Sequence, residues 1–295
     1  MEISLFRNIV THLRFSFSIL LLPVFLFAMS QASSVNWIHA FICFVVLHVL
    51  VYPSSNAYNS FMDRDTGSIG GLKSPPEVPQ SIYMVSIVFD VLALCISYMF
   101  LGFPVFALIV SYIIASRTYS YRGIRLKKYP WVGFLIVALF QGSIIYLISL
   151  WSFQGSVIFE LKLYWGMLIS FFMMGSSYPL TQVYQHKQDR EDGVLTLSMV
   201  LGVRGTFIFS GIMLFVFVIL MVFFLYSYES LLMIPLLIFC TFPVSIYFIN
   251  WFQKVWRDDL EANFENTMLM SHLGAWSTNL FFGSVFLFKY FNILI

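Results

Sequence analysis

Two segments of this chain concentrate side chains able to hold a cation and a phosphate. The first reads Asn56-Ala-Tyr-Asn59-Ser-Phe-Met-Asp63-Arg-Asp65-Thr-Gly67. Asn56, Asn59 and Asp63 recur at i, i+3 and i+7, which places them on one helical face. Asp65 follows at the end of that helix. The second reads Tyr184-Gln185-His-Lys-Gln-Asp189-Arg-Glu-Asp192-Gly193. Gln182, Gln185, Asp189 and Asp192 again share one face. Carboxylates gathered at one boundary repel each other unless a cation neutralises them. Magnesium suits the task, because it takes oxygen ligands and binds through one or two carboxylates plus substrate phosphates. Asn and Gln add neutral oxygens and amide protons on the same faces. Arg117, Arg122, Lys127 and Lys128 supply charge for the rest of a phosphate. The acids at Asp258, Asp259, Glu261 and Glu265 read instead as an ordinary solvated helix end.

The elements that carry these segments follow from composition. Of 295 residues, 60% are hydrophobic and only 10% are charged, against about 25% charged in a soluble domain. So much apolar surface must face lipid. Spans of about 20 apolar residues are predicted at 14–30, 36–60, 81–101, 103–120, 131–151, 161–185, 204–227, 229–252 and 267–290. The expected fold is a single all-helical domain over 1–295, a polytopic membrane bundle of nine transmembrane helices. The first apolar run reads as a spanning helix rather than a cleavable leader. With this arrangement only Lys162 and Lys289 of the 16 basic residues fall on one side. The positive-inside rule then puts the N-terminus, and both acidic segments, in the cytoplasm. Cys43, Cys95 and Cys240 are dispersed in apolar runs and read as small hydrophobes. No nucleic-acid partner is expected.

These residues resemble those of the UbiA-type intramembrane prenyltransferases, whose nine spans carry two Asp-rich motifs after helices 2 and 6. In the family pattern N-D-x-x-D-x-x-x-D, Asn59 and Asp63 match, while Ser60 and Gly67 replace the flanking acids. Tyr184, Asp189, Asp192, Gly193, Thr196 and Leu197 form a variant of the second motif, with Gln185 where an acid is usual. Ser68-Ile-Gly-Gly-Leu-Lys73-Ser-Pro-Pro and Tyr119-Ser-Tyr-Arg122-Gly-Ile-Arg125-Leu-Lys127-Lys128 resemble the basic segments after helices 2 and 4.

The resemblance implies magnesium-dependent transfer of a prenyl group from an isoprenyl diphosphate to a lipophilic or aromatic acceptor, within a multi-pass protein of the cell inner membrane. By that reading Asp63, Asp189 and Asp192 are catalytic, and with Asp65 they hold the metal. Asn56, Asn59, Lys73, Tyr119, Arg122, Lys127, Tyr184 and Gln185 bind substrate. Tyr58, Tyr119, Tyr121, Tyr178 and Tyr184 are candidates to face an allylic cation with their rings. His186 is the histidine to test for catalysis. Asp90, in mid-span, is expected to be protonated, to face a cavity, or to pair with His39 or His48. The competing readings are a transporter, an isoprenoid-lipid-binding protein, and a family member that binds donor but turns it over poorly. Oligomeric state is not legible; the Gly166–Ser170 spacing is too common in spans to decide it.

Overall fold

Inside lipid each backbone N–H and C=O must find a partner within its own segment, so long apolar runs become helices. The computed structural model describes residues 2–293. Among these it holds nine helical rods, and no strand beyond an isolated pairing of Ile69 with Leu72. The rods are Ser4–Gln31, Trp37–Asp63, Ile82–Leu101, Phe103–Ser120, Pro130–Gln154, Leu161–Ser177, Leu197–Tyr228, Met233–Arg257 and Phe264–Tyr290. They are called the first to ninth helices below. Seven are long and apolar enough to cross a membrane. The sixth reaches comparable length through the tighter turns Tyr178–Gln185. The ninth opens on a polar turn, Phe264-Glu-Asn.

Several ends differ from the hydropathy limits, each for a local reason. The first rod begins well before residue 14, with the helix Glu2–Leu13, and turns at Arg14 (φ 50°). The Arg14 guanidinium donates to the carbonyls of Gly70 and Asn56, both at 3.1 Å. Those bonds steady a left-handed backbone that a non-glycine residue rarely adopts. The seventh helix begins at Leu197 rather than 204. Thr196 caps it, and Gly202 (φ 70°, ψ 168°) kinks it. The eighth begins at Met233, which leaves Glu229 in the connecting turn. Gly102 (φ 85°) reverses the chain between the third and fourth helices, where the sequence predicts a tight turn. Pro53 follows a π-helical stretch, Val45–Val51, after one residue, Tyr52, and further π-helical stretches end the third helix at Ser97–Leu101 and interrupt the fifth at Ala138–Ile144.

Asp90 pairs with neither His39 nor His48. Its carboxylate meets the guanidinium of Arg117, with an Nε–Oδ2 distance of 2.9 Å. The same guanidinium donates to Ser54 Oγ (2.9 Å) and to the Ser86 carbonyl (3.2 Å), and lies 4.0 Å over the Tyr58 ring. One ion pair thereby knits the second, third and fourth helices behind the Asn56–Asp63 face. The Gly166–Ser170 spacing is used inside the chain. Gly166 lies against Tyr146, and a Cβ on Gly142 would stand 2.5 Å from the Ser170 carbonyl oxygen. The fifth and sixth helices therefore pack backbone to backbone.

The largest core lies towards the end opposite the acidic segments. Phe27 stacks on Phe282 (4.6 Å) and meets Tyr146 (5.0 Å) and Phe224 (5.9 Å). Beyond that cluster, Glu229 is 7% exposed and accepts from Lys162 (3.3 Å) and Lys289 (3.1 Å), while Lys289 also donates to the Ser30 carbonyl (2.8 Å). The first, sixth and ninth helices are thus tied to the turn after the seventh.

Candidate active site

At the charged end the rods diverge around a cavity of about 350 Å³. The second helix delivers Asn56, Asn59 and Asp63 to its wall at the spacing read from the sequence. This helix stops at Asp63 because Arg64 adopts a left-handed φ of 54°, and the chain then turns to bring Asp65 to the same mouth. From the sixth helix, the turns Tyr178–Gln185 and the short helix His186–Glu191 bring Tyr184, Gln185 and Asp189 opposite. Tyr119 and Lys127 complete the rim from the fourth helix and its following loop.

The charges are partitioned. Asp63, whose side chain is 2% exposed, is matched by cations: Lys127 Nζ donates to it at 2.5 Å and Arg125 at 3.2 Å, and Asn59 Nδ2 adds a bond at 2.7 Å. Asp192 lies outside the cavity lining and pairs with Arg125 and, at 3.3 Å, with Arg122. Burial pushes the Asp192 carboxyl up, but the Arg125 bond and charge, with Arg122 and Lys127, outweigh it and hold the group below its ordinary range. Burial likewise works against the charge of Arg125, and Asp192 and Asp63 more than restore it.

Asp65 and Asp189 are the opposite case. Burial raises Asp65, and the neighbouring Asp63 raises it further, against Lys127. Burial raises Asp189 to about 7, with Asp65 and Asp63 adding to the push and Lys127 opposing it. These two carboxylates line the cavity with a surplus of buried negative charge. Such a surplus fits a hard divalent cation that takes its remaining ligands from water and phosphate. Among the described residues no cage of three or more acidic, His or Cys ligands is preassembled.

The loop after the second helix folds over the mouth. Gln185 Nε2 donates to the Ser68 carbonyl at 3.1 Å, joining the two motifs. Gly70 and Gly71 lie against Phe17, where a Cβ would stand 2.7 and 3.2 Å from the ring. The motif departures have local explanations. A side chain at Gly67 would meet Gln188 Oε1 at 2.6 Å. Ser60 is buried away from the cavity.

Of the residues singled out by the sequence, Lys73 is not gathered here. Its side chain is 69% exposed and pairs with Glu265. Arg122 stands at the margin, half-exposed, and donates to the Met62 carbonyl at 2.6 Å. Tyr119, Tyr178 and Tyr184 line the cavity, and the Tyr119 and Tyr178 hydroxyls meet at 2.5 Å. Tyr58 and Tyr121 lie outside it, as does His186, whose Nε2 is 2.7 Å from Ser198 Oγ. Sequence reasoning missed Arg14, which lines the mouth, and Arg125, which joins Asp63 to Asp192. Both look in sequence like topology-setting charges. Their roles rest on left-handed backbone at Arg14 and Arg125 (φ 50° and 52°), which no glycine announces.

Comparison with known proteins agrees with this architecture. Residues 20–273 match the UbiA prenyltransferase family. No curated protein sequence matches the chain. A solved UbiA homologue from Archaeoglobus fulgidus bound to GPP and Mg2+ is 18% identical, superposes with a TM-score of 0.69, and pairs 94% of this chain with 99% of its own. The same organism's homologue bound to DMAPP and Mg2+ gives 18% identity and 0.70, over 95% and 99%. A digeranylgeranylglyceryl phosphate synthase gives 16% identity and 0.59, over 96% and 97%. The chain is an integral membrane protein that belongs to the UbiA prenyltransferase family.

Proposed function

We propose that this protein transfers a prenyl group from an isoprenyl diphosphate to a hydrophobic or aromatic acceptor, with magnesium, at the cytoplasmic face of the cell inner membrane. The observation that carries this is the pairing, in one cavity, of a carboxylate-and-lysine mouth with a floor lined by Leu20, Phe140, Met173, Phe217 and Val244. An allylic diphosphate has that polarity. Its tail gains about 0.8 kcal/mol per methylene removed from water, while its charged head stays at the aqueous edge. The solved relatives that bind GPP or DMAPP with Mg2+ support the donor class.

Asp65 and Asp189 would hold the metal, which supplies charge neutralisation to the leaving diphosphate. Asp63 holds Lys127 and Arg125 in place. Lys127 then presents a proton donor at the mouth, where negative charge grows as the diphosphate leaves. The bond from the first prenyl carbon to the diphosphate oxygen breaks, and its electron pair goes with the diphosphate. The acceptor forms the new bond to that carbon and loses a proton to solvent through the mouth. Tyr119, Tyr178 and Tyr184 exclude water and offer π-faces to the electron-poor carbon.

The test uses membranes containing the protein, magnesium, a panel of isoprenyl diphosphates and a lipid extract as acceptor source, with diphosphate release as readout. Release that needs magnesium and falls at least about a hundredfold in both Asp63→Asn and Asp189→Asn is expected. No release with any donor, from folded protein, would remove the transferase reading.

A further inference from the structure

Outside the cavity, the helix Glu2–Leu13 uses its two flanks differently. A straight rod from Glu2 to Gln31 would run about 45 Å, well over the thickness of a bilayer core. The left-handed turn at Arg14 breaks it, and the part from Phe15 to Gln31, about 25 Å, already reaches the lower limit for a crossing. Glu2–Leu13 is thereby left at the membrane boundary on the side of the mouth. Its residues Leu5, Phe6, Ile9, Val10 and Leu13 fall within one arc of the helix, with Arg7 and Thr11 across from it. That arc is split. Leu13 and Ile9 pack against Ala57 and Phe61 of the second helix and Ile82 and Val85 of the third. Leu5, Phe6 and Val10 face outward, with Phe6 69% exposed. Met84 and Val88, beside Val85 on the third helix, are exposed as well, so the outward flank adjoins surface that the bundle presents to lipid.

The other edge of this helix is stitched to the loop that covers the mouth. Asn8 Nδ2 donates to the Glu77 carbonyl at 3.4 Å, and the buried His12 donates from Nε2 to the Pro76 carbonyl at 2.9 Å. Val78 packs into the Leu13 cluster. Past the turn, Arg14 donates to the Gly70 carbonyl, and Phe17 lies against Gly70 and Gly71. The same loop brings Asp65, Ile69 and Gly70 to the cavity. On its far side it is held by the Gln185 bond to the Ser68 carbonyl and by the exposed Lys73–Glu265 pair.

We propose that Glu2–Leu13 is an interfacial anchor, with Leu5, Phe6 and Val10 seated at the acyl boundary of the leaflet on the mouth side, and that from there it straps the loop of residues 64–78 over the cavity. Arg7, exposed on the adjoining edge, is placed to reach lipid phosphates while its stem covers apolar surface. The occupant of the outward flank is phospholipid rather than a second copy of the chain. The flank adjoins lipid-facing helix surface, and three side chains offer far less area than a stable dimer needs. Opening of the loop is thus coupled to the leaflet. The anchor and strap stand independently of prenyl transfer; with that reading, they add that Asp65 is presented by a loop the membrane supports.

The experiment uses the purified full-length protein in phosphatidylcholine nanodiscs. Spin labels are introduced singly through Phe6→Cys, Val10→Cys or Thr11→Cys, each with Cys95→Ser, because Cys95 is exposed while Cys43 and Cys240 are buried. Collision with oxygen and with a water-soluble nickel chelate reads the depth of each label. Labels at 6 and 10 are expected to favour oxygen, and the label at 11 the chelate. Hydrogen exchange then follows the amides of Ile69 and Leu72, which are paired within the loop. Phe6→Asp combined with Val10→Asp speeds their exchange about tenfold. His12→Ala, which cuts the strap and leaves the anchor, also speeds it, while a label at 6 stays in lipid. Thermal unfolding verifies each variant. Labels at 6 and 10 reached mainly by the chelate, or dipolar coupling between labels on two copies, overturn the anchor. Unchanged loop exchange in both kinds of variant overturns the strap. Neither readout involves diphosphate release, so failure here leaves prenyl transfer standing.

Discussion

Asp189 and Asp63 face the same cavity with opposite electrostatic histories, and that difference is measurable. With its carboxyl raised to about 7 by burial and by Asp65 and Asp63, Asp189 holds a proton below that pH in the metal-free protein. A cation must displace the proton, so magnesium affinity rises with pH up to about 7 and levels off above it. The slope is close to tenfold per unit on the acid side. Calorimetric titration between pH 6 and 8 checks this; a flat profile would sink it, and Asp189→Asn removes the slope. The same folded-state shift, upward from an ordinary 3.8, means that the Asp189 charge opposes folding increasingly as pH climbs towards 7. Asp189→Asn therefore unfolds at a higher temperature than wild type at pH 8 without magnesium. Asp63→Asn does the reverse. It leaves Lys127 beside a neutral amide and Arg125 with Asp192 as its remaining carboxylate, and loses about 3 kcal/mol in thermal or denaturant unfolding. Helical spacing puts Asn56, Asn59 and Asp63 on one face and Gln185 and Asp189 on another, and helix packing then turns both faces to one cavity. It does not distinguish the ion-paired carboxylates from the strained ones, because that depends on the fold of the Arg125–Lys127 loop.

At the scale of elements, the rods deviate from uniform helix where the site needs it. Gly202 combines φ 70° with ψ 168°, a region open almost only to glycine, and a Cβ there would meet nothing within 4 Å. Gly202→Ala then carries a purely conformational penalty of about 1–3 kcal/mol, visible as a lower unfolding temperature. A variant as stable as wild type would show that the kink is not held. The Asp90–Arg117 pair gives a second element-level expectation. Either single neutral substitution, Asp90→Asn or Arg117→Met, leaves a partner charge among three helices. The double variant Asp90→Leu with Arg117→Met recovers most of the loss, because removing both charges also removes their desolvation cost. Comparative unfolding of the three proteins reads the recovery directly. Hydropathy marks the spans well where an apolar run meets a polar loop, as at Trp37, Ile82 and Phe103. It misplaces the ends at the first, seventh and eighth helices. There the local structure follows the left-handed turn at Arg14, the Thr196 cap and the pairing of Glu229 with Lys162 and Lys289, none of which is a property of the apolar average. The π-helical stretches have no signature in periodicity either.

For the whole molecule, the charge map is bipolar. One end carries the cavity mouth, and the other is closed by Glu229 between Lys162 and Lys289. Glu229→Gln leaves two partly buried ammonium groups without a counter-charge. It lowers unfolding stability by about 2 kcal/mol, less than for a fully buried pair, while donor binding at the distant mouth keeps its magnesium dependence. Loss of that dependence in a folded variant would contradict the separation of the two ends. The sequence shows this polarity at once through the distribution of its basic residues. That Lys162 and Lys289 share one carboxylate is hidden, because the contact joins residues far apart in the chain. The same lock bears on biosynthesis. Lys289 reaches the Ser30 carbonyl, and Phe282 stacks on Phe27, so the first of these nine helices is paired with the ninth, which is made long after it. Until the ninth helix enters the bilayer, the flank of the first is covered only by lipid or by the insertion machinery. Bundle closure is therefore a late, post-insertion event, and a ribosome stalled before the ninth helix should leave a chain whose first helix can still be crosslinked to its translocation partners.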